Sequence, residues 1–371
     1  MGEPRGQPNP PQGDPALTGL DSAVRHLPPA YFALVMATGI ISIAARDFGF
    51  QALSLGMLAF NLAAYLVLAT LTGMRAFRYP RLFLADMTDH KIGPGFFTTV
   101  AASCILGTQL LLIAGSLKAA IVFLSLAVVL WIGLTYTVFT AFTVKREKPS
   151  LEYGITGAWL IAVVATQSIA VLAALVAREW PQPGRLEFNF FALFFVIALS
   201  MWLWGGMFYI WIISLIFYRY SFFAFSPSDL SPPYWINMGA MAISTLAGAK
   251  LVENTPDAPF LASLLPFIKG YTVLYWATAT WWIPMLLVLG VWRHGFRRFP
   301  LRYDPLYWGA VFPLGMFSVA TRQMAKALDL PFLDPLPWVM FVAALAAWTL
   351  AFTGLVGELR RLFSAPPATQ P

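Results

Sequence analysis

Charge is scarce in this chain: only 11% of its 371 residues are Asp, Glu, Lys or Arg, against roughly 25% in ordinary soluble domains. That excludes a soluble globular fold. The net charge of +7 is spread without a basic cluster, so the footprint of a nucleic-acid binder is missing. A single cysteine, Cys104, excludes an internal disulfide and any thiolate-based metal or iron–sulfur centre. The three histidines, His26, His90 and His294, fall on one side of the membrane in the topology below, so none can pair across a bundle as haem ligands. The sequence has no HExxH run and no GxxxxGK[ST] phosphate loop, which argues against zinc hydrolysis and nucleotide-driven transport. No metal and no cofactor is expected.

What is present is apolar surface: 59% hydrophobic residues and a mean hydropathy of +0.70. A bilayer core of about 30 Å needs about 20 such residues per helix. Reading from charge to charge gives ten windows, at 27–45, 48–74, 92–117, 119–144, 153–177, 188–218, 230–249, 270–292, 305–321 and 335–357. The expected fold is an all-α integral membrane protein of ten transmembrane helices. With the N-terminus inside, 16 of the 24 Lys and Arg residues fall on cytoplasmic segments, which places both termini in the cytoplasm of a cell (plasma or inner) membrane. Residues 1–27 are Pro- and Gly-rich without an apolar stretch and read as a disordered tail, not a signal peptide. Residues 28–364 form the membrane domain, and 365–371 a second cytoplasmic tail.

One short pattern recurs at the cytoplasmic start of four odd-numbered helices. It is proline, any residue, then two aromatics: Pro29-Ala30-Tyr31-Phe32, Pro94-Gly95-Phe96-Phe97, Pro232-Pro233-Tyr234-Trp235 and Pro305-Leu306-Tyr307-Trp308. The intervals of 65, 138 and 73 residues suit a unit of about 70 with one degenerate copy, expected near residue 163, where only Gly157-Ala158-Trp159 stands. Proline is tolerated in a helix's first turn, and aromatics favour the headgroup level. Any membrane helix could start this way, but the spacing favours five tandem hairpins related by rotation about the membrane normal, with odd helices forming an inner pore ring and even helices an outer one.

Small and hydroxyl residues on the odd helices supply the pore-lining candidates: Thr38, Gly39, Thr98, Thr99, Gln167, Asn237, Gly239, Ser244 and Gly315. Close packing of helices is the other use of such residues. Arg46, Lys250 and Arg322 stand at nearly the same distance past their motif prolines. They form either a cationic outer mouth that draws anions or snorkelling helix ends without selectivity. No Asp or Glu falls inside a window, which weighs against proton relays and sodium sites.

The stretch from Pro29 to Phe32-Ala33-Leu34-Val35-Met36-Ala37-Thr38-Gly39-Ile40 resembles the opening helix of the tellurite-resistance/dicarboxylate transporter family. So do Trp235-Ile236-Asn237-Met238-Gly239-Ala240 and Trp308-Gly309-Ala310-Val311-Phe312-Pro313-Leu314-Gly315. That family includes tellurite-resistance proteins, a malate permease, a sulfite pump and slow anion channels. The resemblance covers residues 28–360 and implies a homotrimer whose protomers each carry a pore ringed by five kinked odd helices and occluded by a phenylalanine. Phe312, beside Pro313, is the matching position; the alternative is that it packs against a neighbouring helix. The expected function is transport of small anions of the C4-dicarboxylate, tellurite, sulfite or halide class. A different reading is a membrane enzyme acting on a lipid or quinone at the cytoplasmic interface, for which Asp86, Asp89, His90 and Lys91 are the best clustered candidates. A non-transporting scaffold or sensor is the third.

Overall fold

The computed structural model describes residues 19–180 and 190–364, and every regular element among them is helical. Ten helices are long: α1 (Ala33–Asp47), α2 (Gln51–Arg78), α3 (Thr98–Leu112), α4 (Leu117–Val144), α5 (Ile161–Glu179), α6 (Phe190–Phe222), α7 (Ile236–Glu253), α8 (Leu265–Val291), α9 (Trp308–Leu328) and α10 (Pro335–Ser364). Counted with the short turns that adjoin them, eight of them are long and apolar enough to cross a bilayer, which makes this a multi-pass membrane protein. The other two, α7 and α9, fall short of the ten expected spans. They carry Lys250 and Glu253, and Arg322, Gln323 and Lys326, near their ends. Both are packed inside the protein, where no lipid-facing surface is required of them.

The packing order is regular. Each odd helix packs on the even helix that follows it, and α1, α3, α5, α7 and α9 pack on one another in that sequence, α9 returning to α1. Burial separates the two sets: 78%, 83% and 100% of the apolar windows of α1, α3 and α5 is buried, against 22–33% for the even helices. The even helices turn residues such as Leu66, Val129, Ile210, Val288 and Leu350 outward.

Polar groups inside this shell are spent on joining the two sets. Each even helix sends an aromatic polar group to the next odd helix. Tyr65 Oη meets Ser103 Oγ at 2.8 Å, Trp131 Nε1 donates to Thr166 Oγ1 at 2.8 Å, and Trp276 Nε1 to Thr321 Oγ1 at 3.0 Å. Trp202 Nε1 donates to the Ser244 carbonyl at 2.9 Å, and Trp348 Nε1 closes the circuit on Thr38 Oγ1 at 2.9 Å. In a membrane interior an unpaired indole N–H costs several kcal/mol, order of magnitude, so these pins fix the azimuth of each odd helix.

A 3₁₀ turn precedes each of the five odd helices: Pro29–Phe32, Gly93–Phe97, Gly157–Leu160, Pro232–Trp235 and Pro305–Tyr307. The turn before α5 stands where the repeat lacks its proline. A side chain on Gly157 would lie 2.6 Å from the Pro233 carbonyl and 2.7 Å from Tyr234 Cα, so the neighbouring turn leaves no room for one. Neighbouring turns touch all the way round, from the first to the last and back.

Buried arginines tie this end of the molecule together. Arg75, at the end of α2, donates from Nε to the Arg25 carbonyl (3.1 Å) and from Nη1 to the Leu27 carbonyl (2.9 Å), and pairs with Asp86. Arg219, at the end of α6, repeats the arrangement: Nε to the Glu152 carbonyl at 2.7 Å, Nη1 to Tyr234 Oη at 3.0 Å and Nη2 to Asp229 at 3.2 Å. Each guanidinium thus holds the segment leading into one odd helix with its Nε, and an acid before the next odd helix with its Nη2. Within the stretch expected to be a tail, Gly19–Arg25 is a helix whose Asp21 bonds Arg78 (3.2 Å) and Tyr79 (2.9 Å). The rest of that tail, residues 1–18, and the expected tail at 365–371 lie outside the described residues.

Candidate functional site

Two cavities lie on the common axis of the five odd helices. At the N-terminal ends of these helices a cavity of about 200 Å³ is lined by the same positions in each of them, counted from the start of its turn. The outermost layer is Ala30, Gly95, Ala158, Pro233 and Leu306, and the next is Ala33, Thr98, Ile161, Ile236 and Gly309. Lys91 is the one charged residue lining it. At the C-terminal ends a cavity of about 420 Å³ has the same regularity. Its deepest layer is Ile40, Ile105, Ser168, Ile243 and Met316, with Cys104 beside it. Above that come Ile43, Thr108, Val171, Leu246 and Val319, then Asp47, Leu112, Leu175, Lys250 and Gln323. The layers recur every three or four residues, so each helix turns one face to the axis.

Between the cavities stands a single layer: Met36, Ala101, Val164, Gly239 and Phe312. Met36, Val164 and Phe312 form the floor of the N-end cavity, and Phe312 is 1% exposed. Its ring is the largest group in a layer where Ala101 and Gly239 contribute almost no bulk. The next residue, Pro313, does not face the axis but packs on α7, where a side chain on Gly239 would come within 2.7 Å of its ring.

The lining candidates chosen for polarity have other positions. Only Thr98 lines a cavity, and its hydroxyl is already donated to the Pro29 and Gly95 carbonyls. Thr38 receives Trp348, and Thr99 bonds the Phe96 carbonyl. Gln167 donates to the Trp202 carbonyl at 3.0 Å and Asn237 to Tyr220 Oη at 3.4 Å, both toward α6. Ser244 bonds the Ala240 carbonyl. Gly39 faces Ile105, Asn61 and Gln109, while Gly315 faces Ile40, Ile41 and Ala344. A helical hydroxyl can satisfy itself on its own preceding turn, so polarity in these helices marks helix contacts more than the axis.

At the mouth of the C-end cavity, Arg46 and Lys250 line the wall, whereas Arg322 lies with its guanidinium 4.6 Å above the Phe48 ring, away from the lining. Sequence reasoning missed Arg178, Lys326 and Gln323, and also two acids, Asp47 and Glu253. Their signal was available: Arg178, Glu253 and Lys326 stand equally far from the start of their turns. Charge-bounded windows stop just short of them. Lys250 Nζ lies 2.8 Å from Glu253 Oε2 and 2.8 Å from Gln323 Oε1. Arg178 is 3.5 Å from the same Glu253 oxygen, Gln323 Nε2 donates to Asp47 Oδ2 at 2.9 Å, and Arg46 is 3.6 Å from Asp47 Oδ1.

The residues of the enzyme reading are engaged in structure. Asp86 serves Arg75, and Asp89 Oδ1 caps the backbone amides of Lys91 and Ile92 at 2.8 and 3.0 Å. His90 stacks on Phe142 at 4.2 Å; burial there, with Lys145 close by, lowers its imidazole pKa. Among the described residues no three of His, Cys, Asp and Glu converge as a metal site requires.

Comparison with known proteins points one way. The model of the SLAC1 family, voltage-dependent anion channel, matches residues 26–356. An uncharacterized membrane protein of Mycobacterium tuberculosis is 38% identical over 151 residues, 41% of this chain and 76% of that one. An uncharacterized transporter of Methanocaldococcus jannaschii is 23% identical over 338 residues, covering 87% of this chain and 93% of its own. The sulfite efflux pump SSU1 of Arthroderma benhamiae is 24% identical over 362 residues, covering 89% of this chain and 90% of its own.

Proposed function

This chain belongs to the SLAC1 (voltage-dependent anion channel) family, and on that premise we propose that it carries small anions across a membrane along the axis of α1, α3, α5, α7 and α9. The observation that carries the reading is the pair of coaxial cavities, each lined layer by layer by all five helices and parted by one layer. Phe312 is the plug in that layer, and displacing its ring joins the cavities into a path.

The electrostatics support an anion. Five helix N-termini surround the N-end cavity, each worth about half a positive charge, so the field there favours anions with only Lys91 as a formal charge. At the opposite end the helix C-termini are negative. Four cations, Arg46, Arg178, Lys250 and Lys326, offset them against two carboxylates. The apolar walls between the ends leave no fixed charge to trap a permeating ion.

In this reading all ten long helices span the bilayer as five hairpins. At 1.5 Å per residue, α7 and α9 are about 27 and 31 Å long, close to a bilayer core of about 30 Å. The N-end cavity and both termini face the cytoplasm of a plasma or inner membrane, and the exposed apolar faces of the even helices meet lipid or the neighbours of a homotrimer. Sulfite heads the substrates because a full-length relative is named for its efflux; C4-dicarboxylates, tellurite and halides follow. The test is anion flux into proteoliposomes, with sulfite, chloride, malate and tellurite in turn. Flux for one or more, raised in Phe312→Ala, is expected; no flux of any anion in wild type and variant would overturn the reading.

A further inference from the structure

The C-end cavity holds two groups that an anion path does not need. Asp47 and Glu253 have side chains only 10% and 18% exposed, set among four cations. Polar contacts run without a break from Arg178 on α5 through Glu253 and Lys250 on α7, then Gln323 on α9, to Asp47 and Arg46 on α1. Gln323 joins two unlike halves. Its oxygen faces Lys250, which can only donate, and its nitrogen faces Asp47, which can only accept. Lys326 lines the same cavity and has no ion-pair partner among the described residues.

One carboxylate oxygen does most of the neutralising. Glu253 Oε2 takes both Lys250, at 2.8 Å, and Arg178, at 3.5 Å. A single acceptor atom with negative charge satisfies two cations from neighbouring helices, and it does so in the lining of the path. Any small anion descending the cavity presents the same chemistry to the same two donors. Glu253 is the last residue of α7, and its partner Arg178 is 53% exposed, so the carboxylate has solvent to swing into when it is displaced.

We propose that Glu253 is a resident counter-anion, occupying the position between Lys250 and Arg178 that a small inorganic anion takes during transport. Binding is then an exchange of one anion for another. That keeps the mouth from holding its cargo too tightly, which conduction requires. Asp47 plays the same part toward Arg46 and, through Gln323, a weaker one toward Lys250. This inference rests on the anion-transport reading and extends it to a named binding site.

The experiment is the concentration dependence of sulfite and chloride flux in proteoliposomes for wild type, Glu253→Gln, Asp47→Asn and the double variant Glu253→Gln/Lys250→Gln. It is paired with anion-dependent thermal stabilisation of the same proteins in detergent. Removing the Glu253 charge is expected to lower the half-saturating anion concentration by about twofold to fivefold, the range of a partly exposed ion pair. Maximal flux should fall at the same time because release slows. Asp47→Asn should shift the same way by less, and the double variant should lose the gain. A structural role for Glu253 would lower maximal flux and leave half-saturation where it was; unchanged or raised half-saturation in Glu253→Gln therefore overturns the proposal. If Glu253→Gln does not fold, Asp47→Asn decides by the same criterion. If wild type moves no anion, the transport reading fails, and the thermal titration still decides whether Glu253 competes with an added anion.

Discussion

The two ends of the axis are built from the same five helices and solve opposite electrostatic problems. The N-end cavity is small, nearly uncharged and walled by backbone turns; the C-end cavity is about twice as large and crowded with charge. The direction of the helices accounts for the difference. Parallel helices gather positive ends at one side, where no side chain is needed to favour an anion, and negative ends at the other, where cations have to offset them. The fastening differs too. Buried arginines with three partners each hold the N-end, while at the C-end the ion pair that joins two odd helices, Arg178–Glu253, has a half-exposed arginine.

The sharpest way to break the comparison is to cut a fastening at each end. Arg219→Met leaves the Glu152 carbonyl and Asp229 without their partner and should cost about 3 kcal/mol, the low end for a broken buried pair because Asp229 is partly exposed. Glu253→Gln should cost under about 1 kcal/mol of stability. Thermal unfolding in detergent measures both, and equal losses would remove the distinction between the ends. Acid attacks the N-end clamp as well. Burial pushes the Asp229 carboxyl up, but Ser226 and Arg219 outweigh it and hold its pKa below the usual range. Its contribution is present above the unfolded carboxylate pKa of about 4 and is lost as pH falls through the lower folded value. Arg219→Met should therefore lose the Arg219 share of that acid sensitivity and keep the share supplied by Ser226, whose amide and hydroxyl still donate to Asp229.

The next effect lies between the cavities. Phe312→Ala removes the ring that floors the N-end cavity, in a layer where Ala101 and Gly239 add little bulk. Lowering the barrier by about 1.4 kcal/mol raises flux tenfold, and at least that is expected. Unchanged flux in a folded variant would make Phe312 a packing residue and leave the partition to Met36 and Val164.

How far this was legible in the sequence differs between helices and site. The apolar runs and the proline–aromatic starts mark where helices begin, because a bilayer and a helix's first turn each impose a local rule. The turn before α5 shows in the sequence only as a degenerate copy, because Gly157 abuts the Pro233 carbonyl, a constraint set by a neighbour far along the chain. The lining candidates were chosen by polarity and small size, whereas the cavity walls follow register. The hydroxyls of Thr38 and Ser244, read from the sequence as pore-lining candidates, bond the Trp348 indole and the Ala240 carbonyl. Ile40, Ile243 and Met316, which the sequence did not single out, line the C-end cavity. A five-way alignment on the turns, and not polarity, is the signal that finds the axis. The two mouth acids were lost to a boundary rule, since Asp47 and Glu253 lie just beyond the last uncharged residue of their windows.

A smaller effect compares charge at the two ends. Lys326→Gln removes a C-end cation with no ion-pair partner among the described residues and should lower flux about twofold at low ionic strength, fading toward 0.15 M salt, where the Debye length is about 8 Å. Lys91→Gln should do less, because five helix N-termini remain around the N-end cavity. A larger loss for Lys91→Gln would show that side-chain charge, not helix direction, sets the field there.

The smallest expected change distinguishes two arginines that the sequence treats alike. Arg46 and Arg322 stand equally far from the start of their turns, yet Arg46 reaches toward Asp47 in the cavity and Arg322 lies over Phe48. Phe48 in turn stacks on Phe341 at 5.2 Å, so Arg322 belongs to the contact between α9, the end of α1 and α10. Arg322→Gln should cost up to about 1 kcal/mol of stability, the worth of a partly exposed cation–π contact. It should leave flux and its salt dependence unchanged. Measured beside Lys326→Gln, the pair locates the conducting face of α9 to within about one helical turn. If Arg322→Gln lowered flux as much as Lys326→Gln, both faces of the helix end would contribute to the field, and the alignment of layers would stop short of the mouth.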